Sequence, residues 1–325
     1  MSRRDFLKIT AIAGLAIGMG TALRRNFLFE HKRITETRYL MGTIVNFNIL
    51  ALDEAMGRDA LHRTVAEMER LILIFDHRQV GAALRKLNQA GGLNDAPVEL
   101  VEIVSQSIRL GSLSNGAFDI TVLPIVDAFK AGAADITYLK ELVDYRNILL
   151  NGDQIKFARP GMSVTLDGIA KGRIVDGGVR VLKSLGFDNV LVEAGGDMMA
   201  ASSEVGGKEW TVAVGNPRPT AGKEFVASFS VKNRAVTTSG DYVNTFTADH
   251  SKHHIIDPRT CESPRELSSA TVIASNASEA DALSTALMVL GVKAGLDFIN
   301  RIPDAEALLL TRDLTVHKTE RFPID

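Results

Sequence analysis

The stretch HHIIDPRTCESPRELSSATVIASNASEADALSTALMVL, His253 to Leu290, joins two pieces of chemistry. In HIID, His254 and Asp257 flank two isoleucines just before Pro258. Read as a strand, this segment puts His254 and Ile256 on one face and Ile255 and Asp257 on the other. Pro258 has no N–H to give a ladder and would end the strand. SSATVIA, Ser268 to Ala274, reads as a second strand. A helix is expected to begin near Ser278, with Asp281 three residues on as a loose capping pattern. Ala282, Leu283, Ala286, Leu287 and Leu290 give it an apolar stripe at helical spacing. Asp281 and Thr285, four apart, share a face. They read in two ways. A carboxylate near a helix start is favoured by the helix dipole, and a Thr there bonds back to its own helix. A carboxylate and a hydroxyl so placed are also hard oxygen ligands of the kind that suits Mg²⁺. Spacing alone favours the first reading.

Composition narrows the rest. A chain of 325 residues allows one large domain or two ordinary ones. With 46% of residues apolar, a sizeable core is available. Thirty-seven basic against 39 acidic residues give a net charge of −2, which argues against a nucleic-acid surface. Cys261 is the single cysteine, so an intrachain disulfide and a cysteine metal site are excluded.

At the start, Arg3-Arg4-Asp5-Phe6-Leu7-Lys8 precedes an apolar, Gly- and Ala-rich run from Ile9 to Leu23. Paired Arg before a weakly hydrophobic segment resembles a twin-arginine export signal. The run is shorter than the roughly 20 residues that span a bilayer. Gly20-Thr21-Ala22 offers small residues for cleavage. No Cys follows the run, so no lipoprotein anchor is expected. The division expected is a signal segment at 1–23, a basic linker at 24–33 and a folded domain at 34–325. The expected compartment is the periplasm, with inner-membrane association if the signal stays attached and membrane contact otherwise only during export.

Further along, Met41-Gly42-Thr43 leads into the strand-like run Ile44 to Leu50. Asp53 to Phe75 reads as an amphipathic helix, with Ala60, Leu61, Val65, Met68, Leu71 and Ile72 on its apolar side. Pro97 to Leu113 is a second helix, stopped by Ser114-Asn115-Gly116. GAFDxTxxP follows from Gly116 to Pro124, where small residues let a ligand approach and Asp119 reads either as a turn carboxylate or as an acceptor for ligand hydroxyls. Asn151-Gly152-Asp153 between two short apolar runs is a hairpin turn. Val164 to Gly172, TLDGIAKG in its core, leads into a helix expected from Arg173 to Leu185. A strand, a Gly-rich turn and a helix N-terminus make an anion site, with Lys171 and Arg173 adding charge. Asn189 to Val192 is a buried strand that runs into the turn Glu193 to Met198. Trp210 to Val214 and Phe225 to Val231 read as strands. Ala235 to Tyr242 offers the hydroxyls of Ser239 and Tyr242, read equally as a polar turn. His250, His253 and His254 invite a zinc reading, but neighbouring strand positions face opposite ways and no fourth ligand lies near. The chain closes with a helix from Val292 to Asn300 and an apolar strand from Ala305 to Leu310.

Taken in order from Met41 to Leu290, these segments resemble the ApbE family of flavin transferases, the FAD:protein FMN transferases. The resemblance implies an α+β fold of mixed sheets flanked by helices, with FAD as substrate. It implies Mg²⁺ held by the Ala170 carbonyl, Asp281 and Thr285. It implies flavin contacts from Met41, Thr43, Arg78, Ala117, Phe118, Asp119, Asp167, Lys171, Arg173, Gly195, Gly196, Ser239 and Ile255. His254, or else Asp257, would take a proton from the acceptor hydroxyl, with His254 favoured because imidazole titrates near working pH. The acceptor would be a flavoprotein subunit of a membrane electron-transfer complex, flavinylated on Thr or Ser with release of AMP. An FAD pyrophosphatase and a non-catalytic FAD-binding or assembly protein are the alternatives. The sequence departs from the family pattern in particular places. His77-Arg78 stands where an aromatic residue stacks on flavin. Thr165 stands in an acidic position and Asp167 in a small-residue position. Cys261 stands where Gly follows DPRT.

Overall fold

The computed structural model describes residues 32–324, apart from 134, 205, 221 and 222. The expected export segment therefore lies outside the described residues. The chain runs β1 (Lys32–Leu40), β2 (Thr43–Ala51), α1 (Glu54–Phe75), α2 (Ala83–Ala90), β3 (Gly92–Leu93), α3 (Val98–Leu113) and α4 (Leu123–Lys130). It continues with β4 (Ile148–Asn151), β5 (Gln154–Phe157), α5 (Ala170–Ser184), β6 (Val190–Ala194), β7 (Asp197–Ala201), β8 (Trp210–Thr220) and β9 (Lys223–Val231). Last come β10 (Arg234–Gly240), β11 (Leu267–Ala274), α6 (Ala277–Ile299), β12 (Glu306–Thr311) and β13 (Val316–Lys318).

An eight-stranded sheet, ordered β1-β2-β6-β7-β10-β11-β12-β13, carries the fold. Its ladders are antiparallel. Period-two alternation splits its side chains between two cores. Val190, Val192, Ala270, Val272, Ala307 and Leu309 face the helices and join the main core. Leu191, Ile273, Leu308 and Leu310 face the other way, against Trp210, Val212, Val214 and Phe229 of the β8–β9 hairpin. The architecture is α+β, a large sheet flanked by helices on one face, as the sequence led us to expect.

Local chemistry explains the element ends. Asp53 caps α1 by accepting from the Met56 N–H at 2.8 Å. Gly152 supplies the positive φ of the β4–β5 turn. In α6, Gly291 adopts φ 74° and breaks the helix between the two expected halves. This helix is long and apolar enough to cross a membrane, but it packs against β11, β10 and α5 as a core helix.

Several expectations change. The HIID segment is not a strand: only the isolated bridges Thr245–His253 and Asp257–Glu262 form there. The cap of α6 is Asn276, which accepts from the Glu279 N–H at 2.9 Å, and Ser278 lies buried inside the helix. The helix after Gly168 starts at Ala170, so Lys171 sits in its first turn, and residues 162–166 are not a strand. Residues 234–240 are not a turn but the central strand β10, paired on both sides. The edge strand β1 begins inside the expected linker, at Lys32.

Candidate active site

The register of the sheet gathers one end of the molecule. The β1–β2 turn at Met41-Gly42 and the β6–β7 turn at Gly195-Gly196 lie side by side, because Val45 pairs with Ala194. A Cβ on Gly195 would fall 2.4 Å from Thr43 Oγ1, so only Gly lets these turns touch. The C-terminal end of β10 arrives at the same edge, where the Thr238 N–H donates to Asp197 Oδ1 at 3.4 Å. Met41, Thr43, Gly195, Gly196 and Ser239 are thus brought to one place.

Two helices complete it, and they hold each other by an exchange of caps. Asp281 of α6 accepts from the Gly172 N–H in the first turn of α5 at 3.0 Å. Asp176 of α5 accepts from the Ala277 and Ser278 N–H groups in the first turn of α6, both at 2.9 Å. Each carboxylate satisfies free N–H groups and meets the positive end of the other helix dipole. The helices approach so closely at Gly172 that a Cβ there would sit 2.2 Å from the Ala277 carbonyl oxygen. Thr285, one turn beyond Asp281, places Oγ1 3.2 Å from Ser239 Oγ. A Cβ on Gly168 would fall 2.9 Å from the same Oγ1, so the turn before α5 lies directly on Thr285.

The electrostatics are unusual. Lys171 Nζ lies 2.9 Å from Asp197 Oδ2 and donates to the Gly195 carbonyl at 3.4 Å. Burial works against the Lys171 charge, but Asp197, Asp281 and Glu193 outweigh it and raise its pKa. Glu193 steadies the glycine turn by accepting from the Gly196 N–H at 2.7 Å. Burial pushes the Asp281 carboxyl well above the usual carboxylate range; Asp197 and Asp167 push the same way, and Lys171 and the Gly172 N–H only partly oppose them. Buried carboxylates outnumbering the one ammonium among them is an arrangement that a cation would relieve.

His254 is pushed down to about 4, chiefly by burial. Its Nδ1 lies 3.3 Å from the Asn244 carbonyl. A carbonyl only accepts, so Nδ1 carries the proton and Nε2 is left as the lone-pair nitrogen. The imidazole is thus neutral throughout the neutral range, for a reason other than the proximity of its ordinary pKa to working pH. His253 is held apart, with Nε2 3.0 Å from the Pro264 carbonyl.

Other expected residues hold structure. Asp119 accepts from the Thr121 N–H, the Thr121 hydroxyl and the Tyr145 N–H at 2.8, 2.7 and 2.9 Å, so its carboxylate is taken up by the surrounding loops and not open to a ligand hydroxyl. Arg173 turns away from Lys171 and pairs with Glu102 on α3. Asp257 receives both Arg259 Nε and a terminal nitrogen, at 2.8 and 2.7 Å, within its own turn. Ala117, Phe118 and Ile255 are buried in the main core, with the Phe118 ring packed under Gly168. Arg78 and Asp167 meet as a bidentate ion pair at the rim. Sequence reasoning passed over Asp197, Glu193 and Asp176. Asp197 and Glu193 stand inside the turn from Glu193 to Met198, but nothing in its spacing says that they face a lysine from another element. A cavity of about 470 Å³ elsewhere, lined by Val226, Ala227, Ser228 and Phe322 to Ile324, contains none of these residues.

The expected metal donors fit a hard divalent cation. The Asp281 carboxylate, the Thr285 hydroxyl and the first carbonyl of α5, that of Ala170, come from the two helix starts that meet at Gly172 and Gly168. Among the described residues Asp281 Oδ1 accepts no hydrogen bond, and no three His, Cys, Asp or Glu side chains converge as a ligand set of their own.

Residues 41–309 match the sequence pattern of the ApbE family. The chain belongs to the ApbE family. A relative named FAD:protein FMN transferase, from Klebsiella pneumoniae (strain 342), is 30% identical over 270 residues, 77% of each chain. Another of the same name, from Haemophilus influenzae, is 27% identical over 329 residues, covering 94% of this chain and 93% of that one. The crystal structure of the ApbE protein from Thermotoga maritima superposes with a TM-score of 0.80 at 25% identity, over 89% of this chain and 97% of that one. The apo flavinyl transferase ApbE of Pseudomonas stutzeri gives 0.78 at 26% identity, over 90% and 96%.

Proposed function

We infer that this ApbE-family chain is a flavin transferase that moves FMN from FAD to a Thr or Ser hydroxyl of an acceptor flavoprotein and releases AMP. The observation that carries the reading is the convergence of Lys171, Asp281, Thr285 and Ser239 at one sheet end, where buried carboxylates exceed the local positive charge. In the reaction, the acceptor oxygen attacks the FMN phosphorus and the bond to the AMP phosphate breaks. The acceptor proton passes to Nε2 of His254, which is neutral and free to take it. Lys171, in the first turn of α5, orients the pyrophosphate together with the helix N-terminus. Ala170, Asp281 and Thr285 would hold Mg²⁺, which supplies charge neutralisation for the phosphoryl groups. Met41, Thr43 and the Gly195-Gly196 turn form a floor for the donor.

The paired Arg and apolar start of the chain support export by the twin-arginine route, with the acceptor an exported subunit of a membrane electron-transfer complex. The test mixes the protein lacking residues 1 to 23 with FAD, Mg²⁺ and a periplasmic flavoprotein subunit, and follows intact mass and AMP. The expected result is an acceptor heavier by FMN less water, lost in Asp281→Ala. AMP without a labelled acceptor supports an FAD pyrophosphatase. Bound, uncleaved FAD overturns both enzyme readings and leaves a flavin carrier.

A further inference from the structure

We propose that Ser263 is a positioning residue for the reaction, its hydroxyl standing in for a missing strand partner and holding the His254 imidazole where it takes the acceptor proton. This rests on the flavin-transferase reading above. Between β10 and β11 the chain forms no ladder, only the isolated bridges Thr245–His253 and Asp257–Glu262. The first bridge is flanked by two bonds. The Phe246 N–H donates to the Lys252 carbonyl at 2.7 Å, and the His254 N–H donates to the Asn244 carbonyl at 3.0 Å. His253 is therefore the non-bonded member of that rung, and its own N–H and C=O point the other way. A single atom meets both of them there. Ser263 Oγ accepts from the His253 N–H at 2.9 Å and donates to the His253 carbonyl at 2.8 Å. A hydroxyl can do both at once. Both residues are buried, so neither backbone group has water as a ready substitute.

The ring of His253 repeats the anchor, since its Nε2 donates to the Pro264 carbonyl at 3.0 Å. Ser263 and Pro264 thus grip His253 by its backbone and its ring, just before the chain enters β11 at Leu267. The turn between them is closed by the Asp257 N–H, which donates to the Glu262 carbonyl at 2.8 Å. His254 is the next residue along. With His253 fixed, the His254 N–H and Nδ1 both meet the Asn244 carbonyl, at 3.0 and 3.3 Å. This fork sets the direction of the ring and leaves Nε2 without a bond among the described residues. The same packing explains why the ring is pushed down to about 4: burial dominates, His253 and Lys171 add to it, and Asp167 and the Asn244 carbonyl oppose it. A loosened segment would return the ring to water and toward its ordinary value.

The experiment compares the full chain as wild type, Ser263→Ala and Ser263→Thr. The seven histidines are labelled and titrated by NMR, with His254→Gln identifying the His254 signal. FAD affinity is followed by flavin fluorescence, and FMN transfer by the mass of the acceptor. In wild type the His254 signal should titrate near 4. Ser263→Ala should move it up toward 6.5 and leave the Kd for FAD within a few-fold. Its kcat should fall at least roughly tenfold, since a positioned general base contributes about 100-fold or more. Ser263→Thr keeps the hydroxyl and should keep both the titration and the rate. The proposal is overturned if Ser263→Ala retains either the wild-type His254 titration or the wild-type kcat. It is equally overturned if FAD affinity falls as far as kcat, or if Ser263→Thr loses as much as Ser263→Ala. The titration needs no turnover, so a wild type that binds FAD but transfers no FMN overturns the transferase reading, and with it the role of Ser263 in transfer.

Discussion

Replacing Gly172 by Ala tests the contact on which the site depends. The added Cβ would meet the Ala277 oxygen at 2.2 Å, the Ala277 carbonyl carbon at 2.5 Å and the Ser278 nitrogen at 2.8 Å. All are backbone atoms, so no rotamer change relieves the clash. Restoring ordinary contact requires α5 and α6 to part by about 1 Å, which is the kind of overpacking that costs roughly 1–3 kcal/mol. The same movement stretches the 3.0 Å bond from the Gly172 N–H to Asp281 and the two 2.9 Å bonds received by Asp176. At about 1 Å longer, these bonds leave hydrogen-bonding range, and each buried group left unmade costs on the order of 1–3 kcal/mol. The opposing gain in helix propensity from Gly to Ala is only about 1 kcal/mol. Urea unfolding of Gly172→Ala should therefore show a loss of about 3 kcal/mol or more. Gly177→Ala on the same helix is the control, since its Cβ meets only the tip of Leu71, at 2.5 Å, and that side chain can turn. FMN transfer by Gly172→Ala should fall roughly 100-fold, because a shift of about 1 Å in a reacting group is enough for that. A Gly172→Ala protein as stable and as active as wild type would refute the exchange of caps as the organiser of the site.

Asp281→Asn keeps the shape and removes a charge that burial and Asp197 oppose. The metal-free variant should melt no lower than wild type, Mg²⁺ should no longer raise its Tm, and transfer should fall at least roughly 100-fold. A raised folded pKa means that the folded state holds the extra proton, so wild-type stability from this group is gained as pH falls toward the unfolded value and lost as pH rises through the folded one; Asp281→Asn should flatten that slope in guanidinium titrations. His254 has the opposite sign. Its folded pKa of about 4 lies below the ordinary 6.5, so its stability is fully present above 6.5 and is lost as pH falls toward 4. The acid limb of transfer due to His254 should accordingly fall near pH 4, and His254→Gln should abolish it together with most of the rate. Asp257→Asn should loosen the 257–262 turn by about 1 kcal/mol and leave the rate within a few-fold of wild type; a loss as deep as that of His254→Gln would return Asp257 to the role of base.

Pattern reading found what repeats locally. The helix from Glu54 to Phe75 shows its apolar face and its Asp53 cap in one stretch of chain, and so does the strand from Leu267 to Ala274. It failed where burial is set by distant neighbours. The edge strand Lys32–Leu40 leaves most of its side chains exposed, so no apolar alternation marks it. Arg234–Gly240 looks polar because Thr237 is buried among other strands without being apolar. The alternation in HIID suggested a strand, yet His254 is held by Asn244, and His253 just before it by Ser263 and Pro264, across loops. The site is of the second kind throughout. Asp281 and Gly172 are 109 residues apart, and Arg78 and Asp167 are 89 apart. Residue types alone place a lysine after a Gly-rich turn and a carboxylate near a helix start. They do not say that Asp197 will sit against that lysine, or that Asp281 will be buried beside Asp197. That charge balance is what sets the sheet end apart from a pair of capped helices, and it exists only once the two helix starts are locked together.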